Sequence, residues 1–525
     1  MNGERCEPVS AGLKKRNRII WYGILLVSLL GLGGCTALLF PQVREMFIEM
    51  TQRYVFSQKL KPHHIVEARE ILEIVAAGGI FFIVIFDFLA LTGPGKFLLT
   101  KAGFIDIHKA QLLDMGKSFL QNRIFNRPFD LFVFFTGFFV LMVCVSRAAN
   151  TGITYDEAST YFDLVYPGIL EALMRSQYLN NHILNSLLIR FVCFITQTKF
   201  NEFFIRLPSI LSYCVYIIFA YRIARKSNFQ YFIFILFIAN YYLNEFFGLA
   251  RGYGMAAACI LAALYYFENW KKNTDNAFFF HCFMIWCSLA ALANGIALYT
   301  IFSVLVIITF KYRRNIVKLS NSIYLFIFLM VALFVILMSR PGKSLASADS
   351  FYVSIISAVF GSFAQSPYLM FAGFAAFIGA LIYGLVKTKY KNDYGLIYII
   401  FISICFISNV IFRRGYPNSR EMIPFYPVMV FVVADALKYM KSGILPKFLF
   451  TSISAVLCVQ FMLQINIESI KSWGDDYKIR NEILVYALTN DIAGSGKVEF
   501  QKFIDSYHNP VARFYAQKLD LAINE

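Results

Sequence analysis

Long apolar runs separated by short polar connections occupy nearly the whole chain. A helix needs ~20 mostly apolar residues to cross the hydrocarbon core of a bilayer. Runs that meet or approach this length lie at 19–40, 73–92, 129–148, 205–222, 229–247, 253–268, 277–294, 296–311, 322–338, 368–386, 394–412, 422–440 and 447–466. They predict an all-α polytopic membrane protein with about thirteen crossings. The stretch 183–195 is apolar but too short to span, and it predicts a helix lying along the membrane surface.

Basic residues fall in every second connection: Arg222, Arg225 and Lys226; Lys271 and Lys272; Lys311, Arg313, Arg314 and Lys318; Lys387, Lys389 and Lys391; Lys438 and Lys441. The 93–128 connection is also basic. Cytoplasmic loops retain Lys and Arg, so the N-terminus is predicted to be cytoplasmic. The segments 41–72, 149–204, 248–252, 339–367, 413–421 and the C-terminal tail then face outward. Lys14, Lys15, Arg16 and Arg18 before the run 19–40 resemble a signal peptide. That run is long and shows no convincing cleavage site, which predicts a retained anchor. Three regions follow: a two-span extension (1–128), a dense transmembrane core (129–470) and a small outer tail (471–525).

Composition supports the same class. Of 525 residues 58% are hydrophobic and 15% charged, against about 25% charged in soluble domains. A net charge of +17 would suggest nucleic acid in a soluble protein. Here anionic lipid headgroups account for it, so membrane lipids and not nucleic acid are the expected partners. The 10 Cys lie mostly within apolar runs with no CxxC pair, and the 6 His lack zinc spacing. Neither a disulfide framework nor a metal centre is predicted.

The outward segments carry the candidate chemistry. Asp156 and Glu157 follow directly after a span; such carboxylates act as general bases, bind cations or are merely solvated. His182 and Arg206 flank the interfacial stretch, and Arg206 at the lip of a span suits either a ligand or snorkelling to headgroups. Glu245 and Arg251 stand at a membrane boundary, where ionisable groups are costly unless paired or functional. Gly248, Gly252 and Gly254 around them permit close backbone approach. Arg340, Lys343, Arg413, Arg414 and Arg420 lie outside, against the positive-inside tendency. An anionic ligand such as phosphate explains that placement; structural ion pairs are the competing explanation.

Thr154-Tyr155-Asp156-Glu157-Ala158, Asn181-His182-Ile183-Leu184-Asn185-Ser186, Glu202-Phe203-Phe204-Ile205-Arg206-Leu207-Pro208-Ser209 and Ala250-Arg251-Gly252-Tyr253 together resemble the GT-C superfamily of integral-membrane glycosyltransferases. The nearest branch is that of bacterial lipopolysaccharide-core galacturonosyltransferases, with more distant similarity to aminoarabinose–lipid A transferase and protein O-mannosyltransferases. The resemblance covers about 129–470. It implies inverting transfer, at the outer face of a bacterial inner membrane, from a polyprenyl-phosphate-linked sugar to a lipid, glycan or protein hydroxyl. Asp156 would be the base, with Glu157 as neighbour or substitute. Arg251 and Arg420, then Arg206, Arg340 and Lys343, would hold the donor phosphate, and His182, Tyr253 and Glu245 would orient substrate. Many relatives carry Pro-Pro-Leu where this chain has Ile183-Leu184. The family uses metal inconsistently, and no ligand set here names a divalent cation. A transporter or carrier-lipid flippase is the competing function, although no inverted repeat is evident and the in-span acids Asp87 and Asp435 lack obvious partners. A non-catalytic scaffold would make Asp156 dispensable.

Overall fold

The computed structural model describes residues 128–166, 182–316, 319–338, 367–412, 417, 419–440, 443–467 and 510–518. All belong to the larger of two compact units, 125–167 with 176–525. The predicted spans 19–40 and 73–92, together with Arg340, Lys343, Arg413 and Arg414, lie outside the described residues. The described residues form helices and no strand.

In chain order the helices are α1 (Pro128–Asn150), α2 (Tyr155–Thr160, continued by a π-turn at Tyr161–Val165), α3 (Ile183–Thr196), α4 (Glu202–Ala224), α5 (Gln230–Ile238), α6 (Tyr241–Phe247) and α7 (Gly252–Lys272). Then come α8 (Ala277–Ala293), α9 (Ala297–Ile316), α10 (Leu319–Met338), α11 (Pro367–Lys387), α12 (Asp393–Phe412), a 3-10 turn (Ser419–Phe425), α13 (Tyr426–Lys438), α14 (Ile444–Gln464) and α15 (Pro510–Lys518). Most predicted runs become helices, with two differences. The run 229–247 is broken at Ala239 and Asn240, where the Asn240 side chain accepts from the Leu243 N–H at 2.9 Å and caps α6. An Asn offers the backbone this alternative to a continuous helix. The run 422–440 opens as the 3-10 turn before α13 begins.

Three described helices are long and apolar enough to cross a bilayer: α1, α4 and α14. A fourth results if α6 and α7, bent by 109° at their junction, count as one broken span. Among the described residues, Ala277–Ala293, Asn321–Ile336, Phe371–Lys387 and Asp393–Ser408 are shorter apolar helices. The outer faces still require lipid. Along α1, Phe134, Phe135 and Phe138 are exposed, and along α14 Ile444, Leu445 and Phe448 are more exposed still. Water does not support aromatic stripes of this extent, whereas hydrocarbon does.

The core is organised around α7. It packs against α4, α8 and the 3-10 turn, and its small residues Ala256, Ala257, Ala258, Ala262 and Ala263 are all buried. Small side chains let neighbouring helices approach closely within a membrane. With 21 residues, α7 is roughly 30 Å long, about the thickness of the hydrocarbon core. Arg251 caps one end. Lys271 lies near the other, bonded to Glu268 at 2.7 Å and Asp393 at 3.1 Å, and Lys311 joins Asp393 at 2.6 Å. This network ties α7, α9 and α12 together at the end remote from Arg251.

The Arg251 end is set by close backbone approach. A Cβ at Gly252 would collide with the Ala293 carbonyl and stand 2.8 Å from His182 Nδ1. Gly252→Ala should therefore destabilise the protein by about 1–3 kcal/mol, the usual cost of overpacking. Gly379→Ala, where nothing lies within 4 Å, should leave the thermal midpoint unchanged or raise it. Melting both purified variants in detergent checks the contrast, and equal midpoints would refute this account of Gly252.

Candidate active site

Immediately after α1 the chain turns and enters α2 through a capping box. Thr154 Oγ1 accepts from the Glu157 N–H at 3.3 Å, while Glu157 Oε2 accepts from the Thr154 N–H at 2.9 Å. The sequence Thr-Tyr-Asp-Glu supplies this motif directly. Its consequence is directional: Glu157 folds back onto the backbone of its own turn. Glu157 is buried, and the Asp156 side chain remains 14% exposed.

Glu157 meets Arg206 in a fully buried pair. Arg206 Nε donates to Oε1 at 2.9 Å and Nη2 to Oε2 at 2.6 Å. The remaining donors of Arg206 reach the carbonyls of Ala148 (3.1 Å), Thr151 (2.8 Å) and Gly152 (2.7 Å). Arg206 thereby fastens α4 to the end of α1 and to the turn before Asp156. Glu157 Oε1 also accepts from the Ala250 N–H at 2.6 Å, and Asn185 Nδ2 donates to the Ala250 carbonyl at 2.9 Å. Ala250, the residue before Arg251, is thus held at both its N–H and its carbonyl. Burial pushes the Glu157 carboxyl upward, but the Arg206 charge and the hydrogen bonds from Arg206, Ala250 and Thr154 outweigh it and hold the group below the usual carboxylate range.

Arg206 and Glu157 were expected at the phosphate and among the catalytic acids. The structure places both inside the scaffold, with their polar atoms committed to each other and to backbone. Asp156 is placed differently. Its Oδ2 lies 3.2 Å from Arg251 Nη2 and 3.5 Å from Arg420 Nη1. The Arg251 side chain is buried and that of Arg420 is 34% exposed. Arg420 comes from the 3-10 turn packed along α7, and Tyr242 Oη stands 3.2 Å from Ser419 Oγ beside it. One acid and two arginines from distant parts of the chain therefore converge.

His182 and Tyr253 border this cluster. Their rings meet edge to face at 5.0 Å, and the Arg251 guanidinium lies 5.7 Å from the Tyr253 centroid. His182 Nδ1 is 3.1 Å from the Ala293 carbonyl, a contact that requires Nδ1 to carry the proton. Burial, and then the positive charge of Arg251, hold the imidazole well below its usual range; the bond to Ala293 opposes them and Arg420 adds to them. These effects favour the neutral ring, and with Nδ1 donating to the Ala293 carbonyl the buried Nε2 is then the acceptor. Glu245 lies apart, fully buried on α6, where it accepts from Tyr241 Oη at 2.6 Å. Beside it is Arg147, buried at the end of α1, 5.2 Å from the Tyr241 ring and donating through Nε to the Asn466 carbonyl at 3.0 Å.

Arg147 and Asn185 were not singled out from the sequence. An arginine at the end of an apolar run was the available sign for Arg147. For Asn185 it was its place in the motif Asn181-His182-Ile183-Leu184-Asn185-Ser186. No three His, Cys, Asp or Glu side chains among the described residues come together so as to hold a metal ion.

Glu157→Gln should cost about 3–5 kcal/mol, because Arg206 keeps a buried charge without its counter-ion. Pairing with Arg206→Met should recover part of that loss. The depressed carboxyl contributes stability that is fully present above the ordinary carboxylate range of about pH 4 and is lost as pH falls through the lower, folded value. The difference in midpoint between wild type and Glu157→Gln should stay constant from about pH 8 to pH 5 and shrink only below about pH 4. A gap that closes near neutrality would overturn this assignment.

The sequence matches no protein-family description and no curated protein. Among solved structures it is similar to ArnT from Cupriavidus metallidurans in the apo state, with 13% identity and a TM-score of 0.45 over 74% of each chain. It is also similar to the same protein bound to undecaprenyl phosphate, with 14% identity and a TM-score of 0.44 over 74% of each chain. A likeness this loose assigns neither a site nor a substrate to the present chain.

Proposed function

We propose that this chain is an integral-membrane glycosyltransferase of GT-C type. It moves a sugar from a polyprenyl-phosphate donor to a hydroxyl acceptor on a lipid, glycan or protein, with inversion, at the extracytoplasmic face. The observation that carries this reading is the placement of Asp156 Oδ2 within 3.2 Å of Arg251 and 3.5 Å of Arg420. A base and a pair of cations at one point are what transfer from a sugar phosphate demands.

In this mechanism the Asp156 carboxylate takes the proton of the acceptor hydroxyl. The acceptor oxygen then bonds to the anomeric carbon from the face opposite the phosphate. The bond from that carbon to the phosphate oxygen breaks, and the electron pair leaves on polyprenyl phosphate. Phosphate is a good leaving group, so charge stabilisation by Arg251 and Arg420 matters more than a general acid. Arginine suits this role through its fork of N–H donors.

In this reading the same geometry couples donor and base. The carboxylate sits where the two guanidinium groups converge, which is also where a phosphate would bind best. An arriving phosphate competes for those N–H groups and frees Asp156 toward the acceptor. Arg206 and Glu157 act one step back, as positioning residues.

Purified protein supplied with undecaprenyl-phosphate sugars and candidate hydroxyl acceptors tests the reading. Asp156→Asn should lose roughly 10²–10⁴-fold in transfer rate, the usual contribution of a positioned base, while still binding undecaprenyl phosphate. Full turnover by Asp156→Asn would reject the base. Arg251→Ala and Arg420→Ala should each weaken undecaprenyl-phosphate binding by roughly 10–100-fold, as expected for charge-assisted hydrogen bonds, with the buried Arg251 giving the larger loss. Unchanged affinity in both would reject the phosphate site. Carrier movement across proteoliposomes that proceeds without acceptor and ignores Asp156→Asn would favour a flippase instead.

A further inference from the structure

The tail helix α15 contributes no group to the cluster, yet it is packed into the scaffold around it. Val511, Phe514 and Tyr515 are buried in one apolar cluster with Ile153, Ala158, Ile205 and Ala250. Those four residues flank Asp156, precede Arg206 and precede Arg251. Phe514 meets the Tyr161 ring edge-on at 5.6 Å, and the Arg513 guanidinium lies 4.5 Å from the centre of the Phe162 ring.

Polar contacts fix the register of this packing. Tyr515 Oη accepts from the buried Ile153 N–H at 2.9 Å, across 362 positions of sequence. Lys518 Nζ bonds Glu202 Oε2 at 2.6 Å. Glu202 opens α4, one turn before Arg206. A buried N–H needs an acceptor, and here the acceptor for the turn that leads into Thr154 and Asp156 comes from the far end of the chain. Nine residues are too few for a helix stable by itself in water. The order of α15 therefore derives from docking, and the acid-bearing turn in return derives one of its buried hydrogen bonds from α15.

We infer that α15 is a clamp that sets the position of Asp156 against Arg251 and Arg420, with Tyr515 as its principal positioning residue. The inference rests on the proposed role of Asp156 for its kinetic consequence, but not for its structural one. A chain whose tail is undocked retains every reacting group but holds Asp156 out of register with the arginines. Transfer is thereby conditional on docking of the C-terminal segment.

Hydrogen exchange and kinetics on the full-length protein test this. Tyr515→Phe should speed amide exchange across 152–158 at least tenfold and leave exchange within α8 unchanged. It should lower kcat about tenfold with undecaprenyl-phosphate sugar, while the donor KM moves less than threefold, because the arginines are not displaced. Lys518→Gln, at the exposed edge of the same helix, should shift both readouts in the same direction by a smaller factor, and serves if Tyr515→Phe does not fold. Wild-type exchange across 152–158 in whichever variants fold would overturn the clamp. So would a rise in donor KM with unaltered kcat. If the wild-type protein transfers no sugar, the proposed function fails, and the exchange result still decides the clamp.

Discussion

The buried pair of Glu157 and Arg206 is the constraint on which the site depends. Arg206 reaches three backbone carbonyls at the end of α1, and Glu157 reaches the backbone at both Thr154 and Ala250. Four segments therefore meet at one ion pair: the end of α1, the cap of α2, α4 and the turn before Arg251. Desolvating two charges is expensive, and such a pair is a poor source of net stability. Its value lies in directionality. Apolar side chains would fill the same volume without fixing which way the peptide of Ala250 points. Arg251 follows Ala250 and Asp156 precedes Glu157, so these two members of the cluster each stand one residue from a group held by the anchor, while Arg420 reaches them from the 3-10 turn.

The helical bundle adds a second requirement. Its hydrocarbon-facing surface supplies little orientation, because lipid accepts apolar side chains in any arrangement. Orientation comes from the two polar ends. At one end of α7, Lys271, Lys311 and Asp393 join three helices. At the other, the sharp bend between α6 and α7 turns the chain so that Arg251 enters the cluster while Gly252 lies against the Ala293 carbonyl. The missing Cβ at Gly252 is what lets His182 share that carbonyl, and this in turn sets the imidazole proton on Nδ1 and leaves Nε2 as an acceptor.

Much of this was legible in the sequence, and the reasons differ by element. Apolar runs gave most of the helices, because burial in lipid or core imposes a plain compositional signal. They did not give the break at Asn240, since one polar side chain inside an apolar run is invisible to run length. Arg420 stands out because it opposes the charge bias of loops, and Arg251 because an ionisable group at a membrane boundary is costly; both converge on Asp156. The division of labour between Asp156 and Glu157 was not legible. Adjacent acids look alike in one dimension, and only the capping box, read together with the position of Arg206, sends one inward and leaves the other in the cluster. The contact of Arg147 with Asn466 and that of Tyr515 with Ile153 span more than 300 residues. No periodicity encodes them.

The arrangement also bears on how such an enzyme would avoid wasting its donor. A free carboxylate next to a bound sugar phosphate would activate water as readily as an acceptor hydroxyl. In the structure Asp156 is occupied by the same two guanidinium groups that would bind the phosphate, at 3.2 Å and 3.5 Å. These distances are longer than the 2.6 Å of the Glu157–Arg206 contact, and Arg420 is partly exposed. The outer pair is thus the looser one, held in place by a tighter inner pair that does not need to move. A phosphate bearing several acceptor oxygens can displace one carboxylate from two arginines without disturbing the anchor. Exchange of anions at a fixed cationic site would link release of the base to arrival of the donor, and it requires of the protein only that the inner pair stay where it is.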